Sequence, residues 1–260
     1  MSGPTFASMT APSVAVAGHW DDAVVELRQY TLHPGTRDTL VGLFEREFVE
    51  SQEAVGMHVI GQFHDLDRAD RFVWLRGFAS MRVRERALGA FYGGPVWQRH
   101  RDAANATMID SDDVLLLRPV AAGSGFAAAD PRPADTGAGM ADGSLVAGIC
   151  RLARPADQGF AAVFEARLAP LLARHGASLR ARYMTEAAIN TFPRLPVREG
   201  EQAFVWFAGF ASDAARIGHL DALARDRQWR AALDDARATG LLAPPDWLQL
   251  RATPRSEQRR

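Results

Sequence analysis

Two nine-residue segments of this 260-residue chain are near copies of each other. Phe72-Val-Trp-Leu-Arg-Gly-Phe-Ala-Ser80 and Phe204-Val-Trp-Phe-Ala-Gly-Phe-Ala-Ser212 agree at seven of nine positions, 132 residues apart. Trp97 and Trp229 keep the same spacing, whereas Phe44 with Phe164 and Gly56 with Gly176 are 120 apart. The landmarks are collinear, so the second copy carries 12 extra residues between Gly176 and Phe204. A repeat of about 100 residues is too long for a solenoid unit and fits a duplicated domain.

Each copy has one grammar. Val24 to Leu32 alternates and is rich in strand formers, and Pro34-Gly35-Thr36 then breaks it, with Thr36 placed as an N-cap. Leu40, Phe44 and Phe48 form one helical stripe, which Gly56 ends. Met57–Phe63 and Phe72–Ala79 read as a hairpin, Ser80 caps the next helix, Pro95 starts another that runs to about Asn105, and Val114–Arg118 is a fourth strand. The order is β-α-β-β-α-β, a ferredoxin-like unit of the α+β class. Such a unit leaves one sheet face bare. The expected fold is therefore two tandem βαββαβ repeats pairing sheet to sheet within one chain, as an intramolecular α+β barrel. Residues 1–22 read as a flexible tail, 23–120 as the first repeat, 121–143 as a linker, 144–253 as a divergent second repeat and 254–260 as a C-terminal tail. In the linker, 18 of 23 residues are Ala, Gly, Pro or Asp, too little to bury.

Composition removes whole classes of chemistry. All 30 basic residues are arginine, so lysine Schiff bases and a Walker A loop are excluded. Cys150 is the only cysteine, which excludes an intrachain disulfide and a thiolate metal cage. With a net charge of −1 and no arginine-aromatic stripe, neither nucleic acid nor a membrane is an expected partner. The absence of a basic start or a long apolar run leads to a cytoplasmic expectation, and the all-arginine usage suits a GC-rich bacterial genome.

Residues two apart on a strand share a face. Glu26, Arg28 and Tyr30 therefore point one way, and Phe72, Trp74, Arg76 and Phe78 do the same on the third strand, opposite aliphatic Val25, Leu27, Val73 and Leu75. An aromatic wall with a few convergent polar groups is the usual form of a small-molecule site. Glu26 beside Arg28 suits a general base held ionised, with Tyr30 as proton donor; Arg28 and Arg76 suit a clamp on a carboxylate or an enolate. A strand ion pair is the plain alternative. An offset of 121 sets Ala147, Ile149 and Arg151 opposite Glu26, Arg28 and Tyr30, while Ala208 replaces Arg76, so one copy alone keeps a polar pocket. His58 and His64 share a face of an unbroken second strand, and His64 is a candidate binding residue. His100, on the apolar side of its helix, is a candidate proton shuttle or metal ligand. Trp97 is read as core with substrate stacking as its other role, Tyr92 before Gly93-Gly94 as an entrance gate, and the 189–202 excursion as a lid or a surface insertion. No HxxxH or HExxH spacing exists, so no metal is expected.

The segment Glu26-Leu-Arg-Gln-Tyr-Thr-Leu-His-Pro-Gly35, the Phe72–Ser80 strand and Pro95-Val-Trp97 together resemble the NIPSNAP domain, strongly over 24–120 and divergently over 144–253. Leu145-Val-Ala-Gly-Ile-Cys-Arg151 lacks the Glu-x-Arg-x-Tyr pattern. The resemblance implies the dimeric α+β-barrel superfamily, whose members include cofactor-independent monooxygenases, isomerases, haem-degrading enzymes and binding proteins. Haem enters only through that resemblance; otherwise no cofactor is expected. The expected function is a cofactor-independent small-molecule enzyme, performing proton transfer, isomerisation or oxygenation of a polar or carbonyl-bearing metabolite. Glu26, Arg28, Tyr30 and His100 are its candidate catalytic residues, and Arg76, Trp74, His64, Phe78, Tyr92 and Trp97 contact the substrate. The alternative is a non-catalytic binding or interaction protein, and homo-oligomerisation through exposed sheet edges stays open.

Overall fold

A computed structural model describes residues 22–129, 132–134, 139 and 143–259. Residues 1–21, and with them nearly all of the expected N-terminal tail, lie outside the described residues. The first half runs β1 (Val24–Leu32), α1 (Arg37–Leu43), a π-helical turn (Phe44–Phe48), α2 (Val49–Glu53), β2 (His58–Asp65), β3 (Arg71–Phe78), α3 (Met81–Gly93), α4 (Pro95–Asn105) and β4 (Met108–Pro119). The second runs β5 (Ser144–Leu152), α5 (Phe160–Val163), a π-helical turn (Phe164–Leu168), α6 (Ala169–Arg174), β6 (Ser178–Thr185), β7 (Gln202–Phe210), α7 (Asp213–Arg225), α8 (Arg227–Arg237) and β8 (Asp246–Ala252).

The eight strands close into an antiparallel barrel ordered β1-β3-β2-β8-β5-β7-β6-β4. Two seams join the halves: β2 pairs with β8 through Phe63–Ala252, His64–Arg251 and Asp65–Leu250, and β4 pairs with β6 through Leu117–Thr185, Arg118–Met184 and Pro119–Tyr183. Each seam is three residue pairs long, and together they close the sheet on itself.

Period-two alternation decides what faces the lumen. Val25, Leu27, Val73, Leu75, Leu115 and Leu117 meet Leu145, Ala147, Ile149, Val205 and Phe207 there, all buried. At roughly 1.5–3 kcal/mol per fully buried large aliphatic side chain, this shared core holds the halves together. The opposite face of each sheet lies under its own helices, in two further cores. The polar and aromatic face of β1 and β3 is thus sealed between sheet and helices rather than inside the barrel.

The halves match in local detail. In each, a one-residue irregularity interrupts the second strand, between Val59 and Gly61 and between Leu179 and Ala181. This bulge corrects the reading of β2 as unbroken. His58 pairs with Gly77 in the ladder and bonds Asp22 and Glu257, whereas His64 turns toward Asp38 before α1 ends. Thr36 supplies no side-chain cap to α1; its hydroxyl donates instead to the His33 and Thr107 carbonyls. Ser80 does cap α3, accepting from Val83 N at 3.2 Å.

The terminal and linking segments are pinned where they are described. Phe126 packs on Phe207 and Tyr183 while its N–H donates to the Tyr183 hydroxyl, and Arg132 bonds Glu53 and the Val59 carbonyl. Beyond β8, Ser256 accepts from Gln62 N, and Arg255 reaches Glu45 and Glu50. The linker, expected to be flexible from its composition, is held at these points through backbone groups and an arginine that composition does not reveal.

Candidate active site

Glu26, Arg28 and Tyr30 on β1 and Trp74 and Arg76 on β3 face the helices because the ladder sets Glu26 opposite Arg76 and Arg28 opposite Trp74. All five are buried, the four other than Tyr30 almost completely. The Glu26 carboxylate accepts from Arg28 Nη1 at 2.7 Å, Arg76 Nε at 2.8 Å and Arg84 Nε at 2.6 Å. Arg76 Nη2 also lies 2.8 Å from Glu26 Oε2, too poorly aligned to count as a hydrogen bond. Beyond the carboxylate, Arg76 Nη1 donates to Gln52 Oε1 at 3.1 Å, Arg84 Nη1 to Asn190 Oδ1 at 2.9 Å, and Arg28 Nε to the Tyr30 hydroxyl at 2.9 Å. Three guanidiniums that cannot deprotonate share one carboxylate, leaving two positive charges in excess.

Burial alone would raise the Glu26 carboxyl, but Arg76, Arg28 and Arg84 outweigh it and hold it far below the usual carboxylate range. So held, the carboxylate is the shared counter-ion of the three guanidiniums. Burial pushes the Tyr30 phenol up despite Arg28, so it is neutral near pH 7. Since Tyr30 accepts from Arg28 Nε, its own proton remains available to another acceptor.

Above this floor lies a cavity of about 40 Å³ lined by Tyr30, Gln52, Trp74, Tyr92, Phe44, Phe48, Phe91 and Trp97, with Leu40, Ala104 and Met108. The guanidinium carbon of Arg28 sits 5.4 Å from the Tyr30 ring centre and 5.6 Å from that of Trp74; that of Arg76 sits 5.0 Å from Trp74, 5.7 Å from Phe78 and 5.9 Å from Tyr92. The excess charge is thus one ring away from the empty space. The π-helical turn sets Phe44 and Phe48 on the cavity wall. Such turns often mark functional sites, but the second half has its own at Phe164–Leu168, so here the turn belongs to the fold.

Of the residues expected from sequence, Glu26, Arg28, Tyr30, Trp74, Arg76, Phe78, Tyr92 and Trp97 come together. His100 and His64 stand apart: His100 Nε2 lies 3.5 Å from Glu47 with its ring on Phe48, and His64 Nε2 lies 3.9 Å from Asp38. Among the described residues no group of three or more His, Cys, Asp or Glu is placed to hold a metal ion. Sequence reasoning missed Gln52, Arg84 and Asn190. Gln52 was findable, since it continues the Phe44–Phe48 row of the helix at a position that should be apolar. Asn190 carried no signal; it arrives from the second half, whose 186–201 excursion also stacks Phe192 on Tyr92 at 6.1 Å and bonds Thr191 to the Met81 carbonyl.

Ladder register identifies the same positions in the second half. Trp206 opposes Gly148 as Trp74 opposes Arg28, and Ala208 opposes Val146 as Arg76 opposes Glu26. The offset at this strand is therefore 120, not 121, and a one-residue slip moves every side chain to the other face. Val146, Gly148 and Cys150 replace Glu26, Arg28 and Tyr30. Arg151 instead bonds Glu201 and Asp246 at the surface. Trp206 fills the room left by Gly148, where a Cβ would lie 2.3 Å from the indole.

Several solved structures share this fold over most of their length. A provisionally named monooxygenase from Fusobacterium nucleatum aligns at 7% identity with a TM-score of 0.54, covering 90% of this chain and 94% of its own. One of like name from Lactobacillus acidophilus aligns at 12% identity and 0.52, covering 91% and 96%, and an anthrone oxidase-like protein at 14% and 0.52, covering 89% and 92%. No curated protein matches the chain. Residues 25–123, which contain the whole charged cluster except Asn190, match the NIPSNAP family.

Proposed function

We propose that this chain is a cofactor-independent enzyme with one active site, in the first half, acting on a small carbonyl-bearing substrate through an enolate-type anion. We further propose that its halves are tandem βαββαβ repeats, of which the second has become structural. One observation carries the reading: three buried arginines on one carboxylate underlie an aromatic cavity in one half, while the other builds the same sheet from Val146, Gly148, Cys150 and Ala208. Buried ion networks rarely stabilise more than hydrophobic residues of similar volume, so the fold has no need of these charges.

In this mechanism the aromatic walls hold a planar substrate, and the excess charge makes the carbon next to its carbonyl more acidic. No carboxylate or imidazole lines the cavity, so water takes the proton. The C–H electron pair passes into the carbonyl, whose oxygen accepts a hydrogen bond from Tyr30. Returning the proton to another carbon gives an isomerisation. With dioxygen as co-substrate a methylene carbon is oxidised to a carbonyl, one oxygen atom staying and the other leaving as water. The present cavity admits a head group or dioxygen; a ring enters when Tyr92 and Trp97, on either side of Gly93-Gly94, move apart.

Enolisable aromatic ketones of the anthrone type are the panel to test, by deuterium exchange at the methylene carbon and by dioxygen uptake. Tyr30→Phe is expected to keep the fold and lose about 10²-fold in rate. Exchange and uptake no faster than in buffer across the panel would refute the reading.

A further inference from the structure

Two excess charges are more than one enolate requires. The other acceptors around the arginines are neutral: Gln52 Oε1, Asn190 Oδ1, the Tyr30 hydroxyl and the Ser111 carbonyl, which lies 3.4 Å from Arg28 Nη2. Arg84 Nη2 and the Nε1 of Trp74, a residue of the cavity wall, are buried with no acceptor at all. Arginine cannot shed its proton to relieve the imbalance, and no second carboxylate among the described residues bonds to these three guanidiniums, so a ligand is left to supply the compensation.

Resting on the enzyme reading above, we infer that the natural ligand enters already carrying a permanent negative charge, a carboxylate or a similarly compact oxyanion on a planar aromatic body. Its head group seats where Gln52, Tyr30 and Tyr92 meet above Arg76 and Arg28. One excess charge then serves binding, and the second is met only by charge that develops during reaction, which is where stabilisation accelerates a step. Gln52 is the selectivity residue: its carbonyl oxygen accepts from Arg76 at one edge of the cavity without adding charge. A glutamate there would supply the missing anion from within.

Titration calorimetry of the full chain with benzoate and with benzamide, its uncharged counterpart, tests this. Benzoate is expected to bind at least about tenfold more tightly. Gln52→Glu is expected to abolish that preference while raising the unfolding temperature of the ligand-free protein, which also shows that the variant folds. Equal affinity for the two probes, no binding of benzoate, or an undiminished preference in Gln52→Glu overturns the inference. Turnover of neutral ketones without charge preference leaves the enzyme reading and removes this one; charge-selective binding without turnover on the panel does the reverse.

Discussion

At equivalent ladder positions the first half holds Glu26, Arg28, Tyr30 and Arg76, and the second holds Val146, Gly148, Cys150 and Ala208. Both halves fold into the same strand order, with the same π-helical turn and the same bulge. The second half thus serves as an internal control: it builds the same sheet with no charge at these four strand positions, although Arg216, placed after the Ser212 cap as Arg84 is after Ser80, stays buried. What the second half adds is the 186–201 excursion, which lays Asn190 on Arg84 and Phe192 on Tyr92 in the other half. One half keeps the charges; the other helps cover them.

The comparison predicts its largest effect at Glu26. Glu26→Gln leaves three buried guanidiniums without their anion and is expected to cost about 3–5 kcal/mol in denaturant unfolding. A loss below about 1 kcal/mol would mean that the cluster is solvated and the contrast with Val146 empty.

Next comes His58, whose counterpart by the shared bulge is the exposed Ser178. Burial lowers its basicity, but the hydrogen bonds that it donates to Asp22 and Glu257 outweigh that and push it up to about 9. Arg132, 3.6 Å from Glu257, tempers the same carboxylate. A histidine with a raised folded value contributes stability that is complete below its unfolded value near 6.5 and lost as pH rises through about 9, on the order of 3 kcal/mol in total. Unfolding midpoints should therefore fall between pH 7 and 10, and His58→Gln should flatten that slope.

Gly148→Ala probes the other side of the comparison, since its Cβ would strike the Trp206 ring at 2.3 Å. The expected cost is about 1–3 kcal/mol, with probe binding in the first half unchanged. Smallest is Arg151→Ala: half-exposed and paired with Glu201 and Asp246, it should change stability by less than about 1 kcal/mol.

Much of this was legible in the sequence. The duplicated Phe-Val-Trp segment and collinear tryptophans announced two like halves, and strand alternation put Glu26, Arg28, Tyr30, Trp74 and Arg76 on one face. Three things were not legible, each for a physical reason. Periodicity does not reveal a one-residue bulge, so His58 and His64 were placed together. Landmarks on β7 do not fix the register of β5, and the slip set Arg151 rather than Cys150 opposite Tyr30. Long-range contacts such as Asn190 with Arg84, 106 residues apart, leave no local pattern.

The central claim is that the first half carries charge for a ligand and not for its fold. The most direct measurement gives the first half the residues of the second: Glu26→Val, Arg28→Gly and Arg76→Ala together, with Arg84→Met to remove the last cation. Unfolding in denaturant should place this variant within about 2 kcal/mol of the parent, more stable than Glu26→Gln alone, with no benzoate binding left. A variant that fails to fold, or that is less stable than Glu26→Gln, would show that the charges are structural and contradict the account.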